Sequence, residues 1–251
     1  MKIQGNTILI TGATSGIGRA LAEALSSRGN KVVIAGRRQH LLDEVTRKNP
    51  GMVGLQLDVT DESSIQRFAS EVKERFPDLN VLINNAGIAR QEDYVAESVN
   101  TEAALAIIQT NITSVIQLTA ALLPQLKAQP QATLIATTSG LAFMPYPPGP
   151  TYSASKAFLH NWLGALRFQL RNTHVEVLEL APPYVQTELG GPQQAADPRA
   201  MPLDVFTEEV MGILEEGRTE NGEILVERVK PMRWAEKNGQ YEQMLTALGS
   251  F

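Results

Sequence analysis

At 251 residues, with 43% hydrophobic and 20% charged side chains, the chain can bury a substantial core and has the composition of a globular protein. A formal charge of −5 with scattered basic residues gives no electrostatic case for nucleic acid, and the lack of cysteine excludes disulfides and thiolate metal sites. The amino-terminal apolar run, residues 7–10, is too short for a signal peptide, and no later run approaches a membrane span, so a cytoplasmic protein without a membrane partner is expected.

Short β-branched runs alternate with longer helical patterns. Strands are predicted over 7–10, 31–35, 52–57, 81–84, 133–137, 175–180 and 223–229. Helices are predicted over 17–28, 39–48, 62–75, 101–127, 151–171 and 203–216. Continuous apolar strands separated by helices imply an α/β fold, a Rossmann-type doubly wound parallel sheet covered on both faces. Neither a repeat nor a low-complexity linker divides the chain, which reads as one domain over 1–251 with a substrate-side excursion near 188–202.

The first strand runs directly into Thr11-Gly12-Ala13-Thr14-Ser15-Gly16-Ile17-Gly18, which opens the first helix. Glycines in that context let the backbone turn tightly and approach a pyrophosphate held on the helix amino terminus. The cradle is therefore read as Gly12, Thr14, Ser15, Gly16, Ile17 and Gly18, and it lacks the Gly-Lys-Ser/Thr ending of a nucleoside triphosphatase loop. The second strand ends in Gly36-Arg37-Arg38 with no acid for ribose hydroxyls. A carboxylate there would repel a 2′-phosphate, whereas the guanidinium groups of Arg37 and Arg38 would bind it, so NADP(H) is favoured over NAD. The bland alternative is two arginines solvating a helix start.

Further along, Tyr152 and Lys156 stand four apart on a predicted helix and share a face. A fixed cation beside a phenol lowers its pKa, and Ser139 would hold a carbonyl or alcohol oxygen within reach. Alone, such a pair is usually a solvated surface contact. The proline-rich loop 141–150 and the Gly/Pro/Gln/Ala-rich loop 190–202 follow strand ends, where open α/β sheets bind ligands. Phe143, Met144, Tyr146 and Tyr184 fall beside them as candidate pocket walls, although isolated aromatics are more often core. His40, His160 and His174 show no metal spacing among themselves, and His160 reads as packing or interface.

Taken together, Thr-Gly-xxx-Gly-Ile-Gly at 11–18, Asp58-Val59, Asn84-Asn85-Ala86-Gly87, Asn111, Ser139 and Tyr152-xxx-Lys156 resemble the classical short-chain dehydrogenase/reductase family over nearly the full length. The region 222–248 is similar to a bacterial subgroup named for a D-alanylation operon. The resemblance implies that Asp58 accepts from the adenine amino group with Val59 beside the ring, and that Asn85, Ala86 and Gly87 let backbone approach the adenine ribose. It implies a proton-relay water on Asn111, substrate positioning by Ser139, acid/base action by Tyr152, and phenolate and nicotinamide-ribose contacts from Lys156. Pro182, Val185 and Thr187 would border the nicotinamide carboxamide. Here the chain departs from the family, with Pro183 where a glycine is usual, and it lacks the terminal Asp-Gly-Gly of many tetrameric members.

The activity implied is NADP-dependent hydride transfer between nicotinamide and a small-molecule carbonyl or alcohol. A regulator that binds NADP without turnover is the rival from another class, and a structural oligomer subunit is the third. Both long helices around the fifth strand carry apolar residues on more than one face, so a homodimer or homotetramer is expected.

Overall fold

The computed structural model describes residues 1–249, so the last two residues of the expected domain lie outside the described residues. Seven parallel strands form one sheet in the order β3-β2-β1-β4-β5-β6-β7. They are β1 (Thr7–Thr11), β2 (Lys31–Gly36), β3 (Val53–Gln56), β4 (Leu79–Asn84), β5 (Ala132–Thr137), β6 (Val175–Leu180) and β7 (Glu223–Ile224). All five residues of β1 are buried, as expected of a central strand covered on both faces. Alternation then divides the core: Ile8 and Ile10 join one cluster and Leu9 the other.

The first cluster receives α1 (Gly16–Ser26) through Leu21 and Leu25, α2 (Gln39–Lys48) through Leu42 and Val45, and a third helix, Leu203–Glu216, through Phe206 and Val210. The opposite face carries α3 (Glu62–Arg75), α5 (Ser114–Ala128) and α6 (Pro150–Leu170), with α4 (Glu102–Ile108) packed on α6. Ile65 and Phe68 anchor α3, Leu118 and Leu122 anchor α5, and Leu159 and Leu163 anchor α6. The sequence-based architecture and most element boundaries agree with this arrangement.

Three differences have physical causes. The strand expected over 223–229 pairs with β6 only at Glu223 and Ile224, then turns through Glu227–Val229. Val226 and Val229 are fully buried from this turn, so an apolar run that reads as a strand is core without a ladder. The helix expected over 101–127 is interrupted at Gln109–Thr113 by a wider π turn, a feature with no periodicity signal of its own. Contrary to the expectation that no run approaches a membrane span, Glu102–Ala128 is long and apolar enough to cross one by length and composition. In the fold it lies along α3, β4 and β5, with Val115, Leu118, Leu122 and Leu126 buried.

The excursion 188–202 contains α7 (Pro192–Ala196), which makes the Leu203–Glu216 helix α8. Its ends are drawn together where Gln186 N–H donates to Met201 C=O at 2.9 Å and Met201 N–H donates to Tyr184 C=O at 2.8 Å. Beyond β7, α9 (Lys230–Arg233) and α10 (Tyr241–Gly249) were not anticipated. They form a small satellite core in which Met144 and Ala235 are buried.

Candidate active site

The strand order reverses between β1 and β4, and the loops that follow these two strands meet there. Gly12 has φ +66°, and a Cβ on it would lie 2.7 Å from Ala86 Cα, so no side chain is tolerated at this approach. Gly18 is tighter still, because its Cβ would lie 2.3 Å from Asn85 Nδ2. Thr11 Oγ1 accepts from Asn85 N–H and Ala86 N–H at 3.0 and 3.1 Å, locking the two loops together.

Helix α1 starts at this junction with no side-chain cap from Ser15 and no acid in its first turn. Its leading N–H groups are therefore available to an anion. Thr14 is buried against the end of β2, its Cγ2 3.1 Å from where a Gly36 Cβ would stand. Arg37 and Arg38 follow that contact, are exposed, and form no side-chain ion pair among the described residues. Asp58 folds one carboxylate oxygen back onto Thr60 N and Oγ1 at 2.9 and 2.7 Å. The cap of α3 is instead Asp61, so Asp58 is not needed for that purpose.

Ser139 and Tyr152 meet at the far end of β5. Ser139 precedes the 3₁₀ turn Gly140–Ala142 and its Oγ accepts from Leu141 N–H at 3.1 Å. Gly140 N–H donates to Pro182 C=O at 2.7 Å, joining the serine turn to the segment after β6. Tyr152 and Lys156 lie one turn apart on α6 and both are buried. Lys156 Nζ donates to Thr137 C=O at 2.9 Å and stands 5.7 Å from the centre of the Tyr152 ring.

The electrostatics differ from the sequence-based expectation of a tyrosine pKa lowered by lysine. Burial pushes the Tyr152 phenol up to about 12, with a hydrogen bond from Ser139 pulling the other way. Burial also pushes Lys156 down to about 8, opposed by the charge of Glu179. Loss of hydration outweighs the hydrogen bond at Tyr152 and the neighbouring charge at Lys156. Tyr152 is thus a neutral phenol near neutrality, the form that can give up a proton.

Asn111 enters from the π turn. Its Oδ1 accepts from Ile88 N–H at 2.9 Å, and its Nδ2 donates to Ile88 C=O at 2.9 Å and Ser155 Oγ at 3.2 Å. These bonds clamp the backbone after β4. A Cβ on Gly87 would lie 3.3 Å from Asn111 Oδ1 and 3.7 Å from Lys156 Nζ, so these three residues converge.

After β6, Thr187 lies over the glycine loop, 3.5 Å from where a Gly16 Cβ would stand. The side-chain carboxamide of Gln194 donates to Val185 C=O at 2.8 Å and to Thr187 Oγ1 at 3.1 Å. Those two acceptors are therefore already arranged for a primary amide, the group that nicotinamide carries. With the Gly12/Gly18 cradle and the uncapped start of α1, this fits a nicotinamide dinucleotide.

Of the expected pocket walls, Met144 is satellite core, and Phe143 packs edge-on against His160 with ring centres 5.1 Å apart. Tyr184 hydroxyl reaches Asp197 Oδ2 at 3.3 Å within the excursion. Two acids gave no sequence signal because their partners are distant in the chain. Glu92 accepts from Thr151 N–H and Oγ1 at 2.8 and 2.7 Å, serving the start of α6 where Gly149 offers no cap. Glu179, buried on β6, binds Thr138 and His160.

The short chain dehydrogenase family pattern matches residues 6–198. An uncharacterized oxidoreductase, DltE, from Bacillus subtilis is 36% identical over 249 residues, covering 98% of this chain and 99% of its own. Sulfoacetaldehyde reductase 2 from Chromohalobacter salexigens is 36% identical over 199 residues, covering 76% of this chain and 79% of its own. A short chain dehydrogenase from Burkholderia cenocepacia, solved in complex with NADP, superposes with a TM-score of 0.81 at 29% identity, covering 98% of both chains. With the sheet order, the glycine cradle and the Tyr152/Lys156 pair in hand, this chain belongs to the short chain dehydrogenase family of oxidoreductases.

Proposed function

We propose that the protein is a cytoplasmic, NADP-dependent reductase of a small carbonyl compound, with Tyr152 as the proton donor. The observation that carries this reading is the convergence of a neutral buried phenol, the Ser139 hydroxyl and the Lys156 ammonium beside acceptors suited to a carboxamide. NADPH, when bound, supplies the hydride. The glycine cradle of Gly12, Thr14, Ser15, Gly16, Ile17 and Gly18 would hold its pyrophosphate, and Arg37 and Arg38 its 2′-phosphate. Asp58, Val59, Asn85, Ala86 and Gly87 would border the adenosine, and Pro182, Val185 and Thr187 the nicotinamide.

Ser139 orients the substrate oxygen, and Tyr152 transfers its proton to that oxygen as the carbonyl becomes an alcohol. Lys156 stabilises the phenolate left behind, and Asn111 fixes the backbone beside that ammonium. The NADP-bound Burkholderia structure and the small polar carbonyl named for the Chromohalobacter relative support the cofactor and substrate classes.

Binding titrations test the cofactor choice. NADPH is expected to bind more tightly than NADH, and Arg37→Ala to weaken NADPH by about 1.5–3 kcal/mol with little effect on NADH. Equal affinities in the unaltered protein would remove the phosphate assignment.

A homodimer, or a homotetramer built from it, belongs to the same reading. Leu105 on α4 is 62% exposed and Phe158 and Phe168 on α6 are 41% and 67% exposed. A groove of about 900 Å³ runs between Ile108, Ile112, Ala154 and Phe158. Large apolar side chains clustered on two adjacent helices call for a covering surface, and two-fold pairing closes most simply. Light scattering at low micromolar concentration is expected to give at least a dimer, and a stable monomer would contradict it.

A further inference from the structure

Behind the serine turn lies a cluster of charged groups that the proposed chemistry does not use. Glu179 projects from β6 with its side chain 1% exposed. Its Oε1 accepts from Thr138 Oγ1 at 2.6 Å, and its Oε2 pairs with His160 Nδ1 at 2.7 Å. Thr138 immediately precedes Ser139, and His160 stands one turn beyond Lys156 on the helix that also carries Tyr152. One carboxylate thus grips both halves of the catalytic geometry.

The other charges facing it are few. Glu223 comes from β7, with its ligand oxygen within 4.8 Å of those of Glu179 and His160. Arg233, from α9, binds both oxygens of Glu223 at 2.8 and 2.9 Å and lies over the Phe143 ring at 4.9 Å. Arg167, farther along α6, donates to the Val177 and Gly222 carbonyls. His160, Glu179 and Glu223 are close enough to share a cation, and the Arg233 guanidinium already pairs with Glu223. Arg233 and Lys156 are the basic side chains that act on this pair of acids. An ionised carboxylate so deeply buried is costly unless its partners are fixed, which makes each partner's position definite.

We propose that Glu179 is a positioning residue for this site: its buried carboxylate ties the Ser139 turn to the Tyr152/Lys156 helix through Thr138 and His160, and so fixes the surroundings of the Lys156 ammonium. The proposal rests on the catalytic roles assigned above to Ser139, Tyr152 and Lys156. The charge of Glu179 also opposes the downward push of burial on Lys156.

The test needs no substrate. Lysine labelled with carbon-13 at Cε, with the Lys156 signal identified by its loss in Lys156→Met, reports the ammonium titration by NMR. The Lys156 midpoint is expected near pH 8 and should move to lower pH in Glu179→Gln. An unmoved midpoint in a folded Glu179→Gln overturns the proposal. Thr138→Val cuts one tie but keeps the charge. With glyceraldehyde as probe, that variant is expected to lose roughly tenfold to a hundredfold in kcat with unchanged NADPH affinity, since small misplacements of reacting groups are costly. An unaltered kcat in Thr138→Val also overturns the proposal, and this variant decides if Glu179→Gln fails to fold. Absence of any aldehyde turnover by the unaltered protein counts against the reductase reading instead, and the Lys156 titration then decides on Glu179.

Discussion

Tyr152→Phe is expected to reduce kcat about 10²–10⁴-fold while NADPH affinity stays within about twofold. The change removes one oxygen from a ring that is already buried, so packing on α6 is retained and only the proton donor is lost. The hydroxyl also answers Ser139, so the serine keeps its bond to Leu141 N–H but loses its partner at the substrate oxygen. Single-turnover oxidation of NADPH by the variant, beside a cofactor titration, separates the two effects. A variant retaining most of its rate would remove the proposed acid.

Lys156→Met is expected to damage both functions, lowering kcat roughly 10²–10³-fold and weakening NADPH as well. Methionine fills the buried stem but cannot donate to Thr137 C=O or offset a phenolate. The pH dependence follows from the same group. Burial lowers the Lys156 pKa from 10.5 to about 8. Reduction should therefore fall as pH rises through about 8, where the ammonium is lost. Stability runs the other way: between these values the unfolded chain holds a proton that the folded protein has released, so this group's contribution to stability increases with pH. Tyr152 has the opposite sign, its raised pKa weakening the fold as pH climbs from 10 toward about 12. Rate and thermal unfolding measured across this range are expected to diverge, and Lys156→Met should abolish its part of the stability slope.

The sheet was legible in the sequence because parallel strands buried on both faces appear as short continuous apolar runs, as in Thr7–Thr11. The same rule overextended β7, since Val226 and Val229 are buried by a turn rather than by strand pairing. The glycine cradle and the Tyr152/Lys156 spacing were legible because each rests on neighbours in the chain. Three features were not. The π turn that presents Asn111 adds a residue that leaves no periodic mark, although the family resemblance marks Asn111 itself. Glu92 reaches Thr151 across 59 positions, and Glu179 reaches Thr138 across 41, so neither contact has local spacing to betray it. The ordering of the tyrosine and lysine pKa values also escaped, because it is set by burial, which the spacing of two residues does not reveal.

The most direct measurement of the central claim is NADPH oxidation followed across a panel of small aldehydes, ketones and keto acids, with Tyr152→Phe run in parallel. The account predicts substrate-dependent loss of NADPH by the unaltered protein and little or none by the variant, although both bind the cofactor. Tight NADPH binding with no turnover of any carbonyl, and no reduction of NADP by the corresponding alcohols, would contradict it and favour a cofactor-binding regulator.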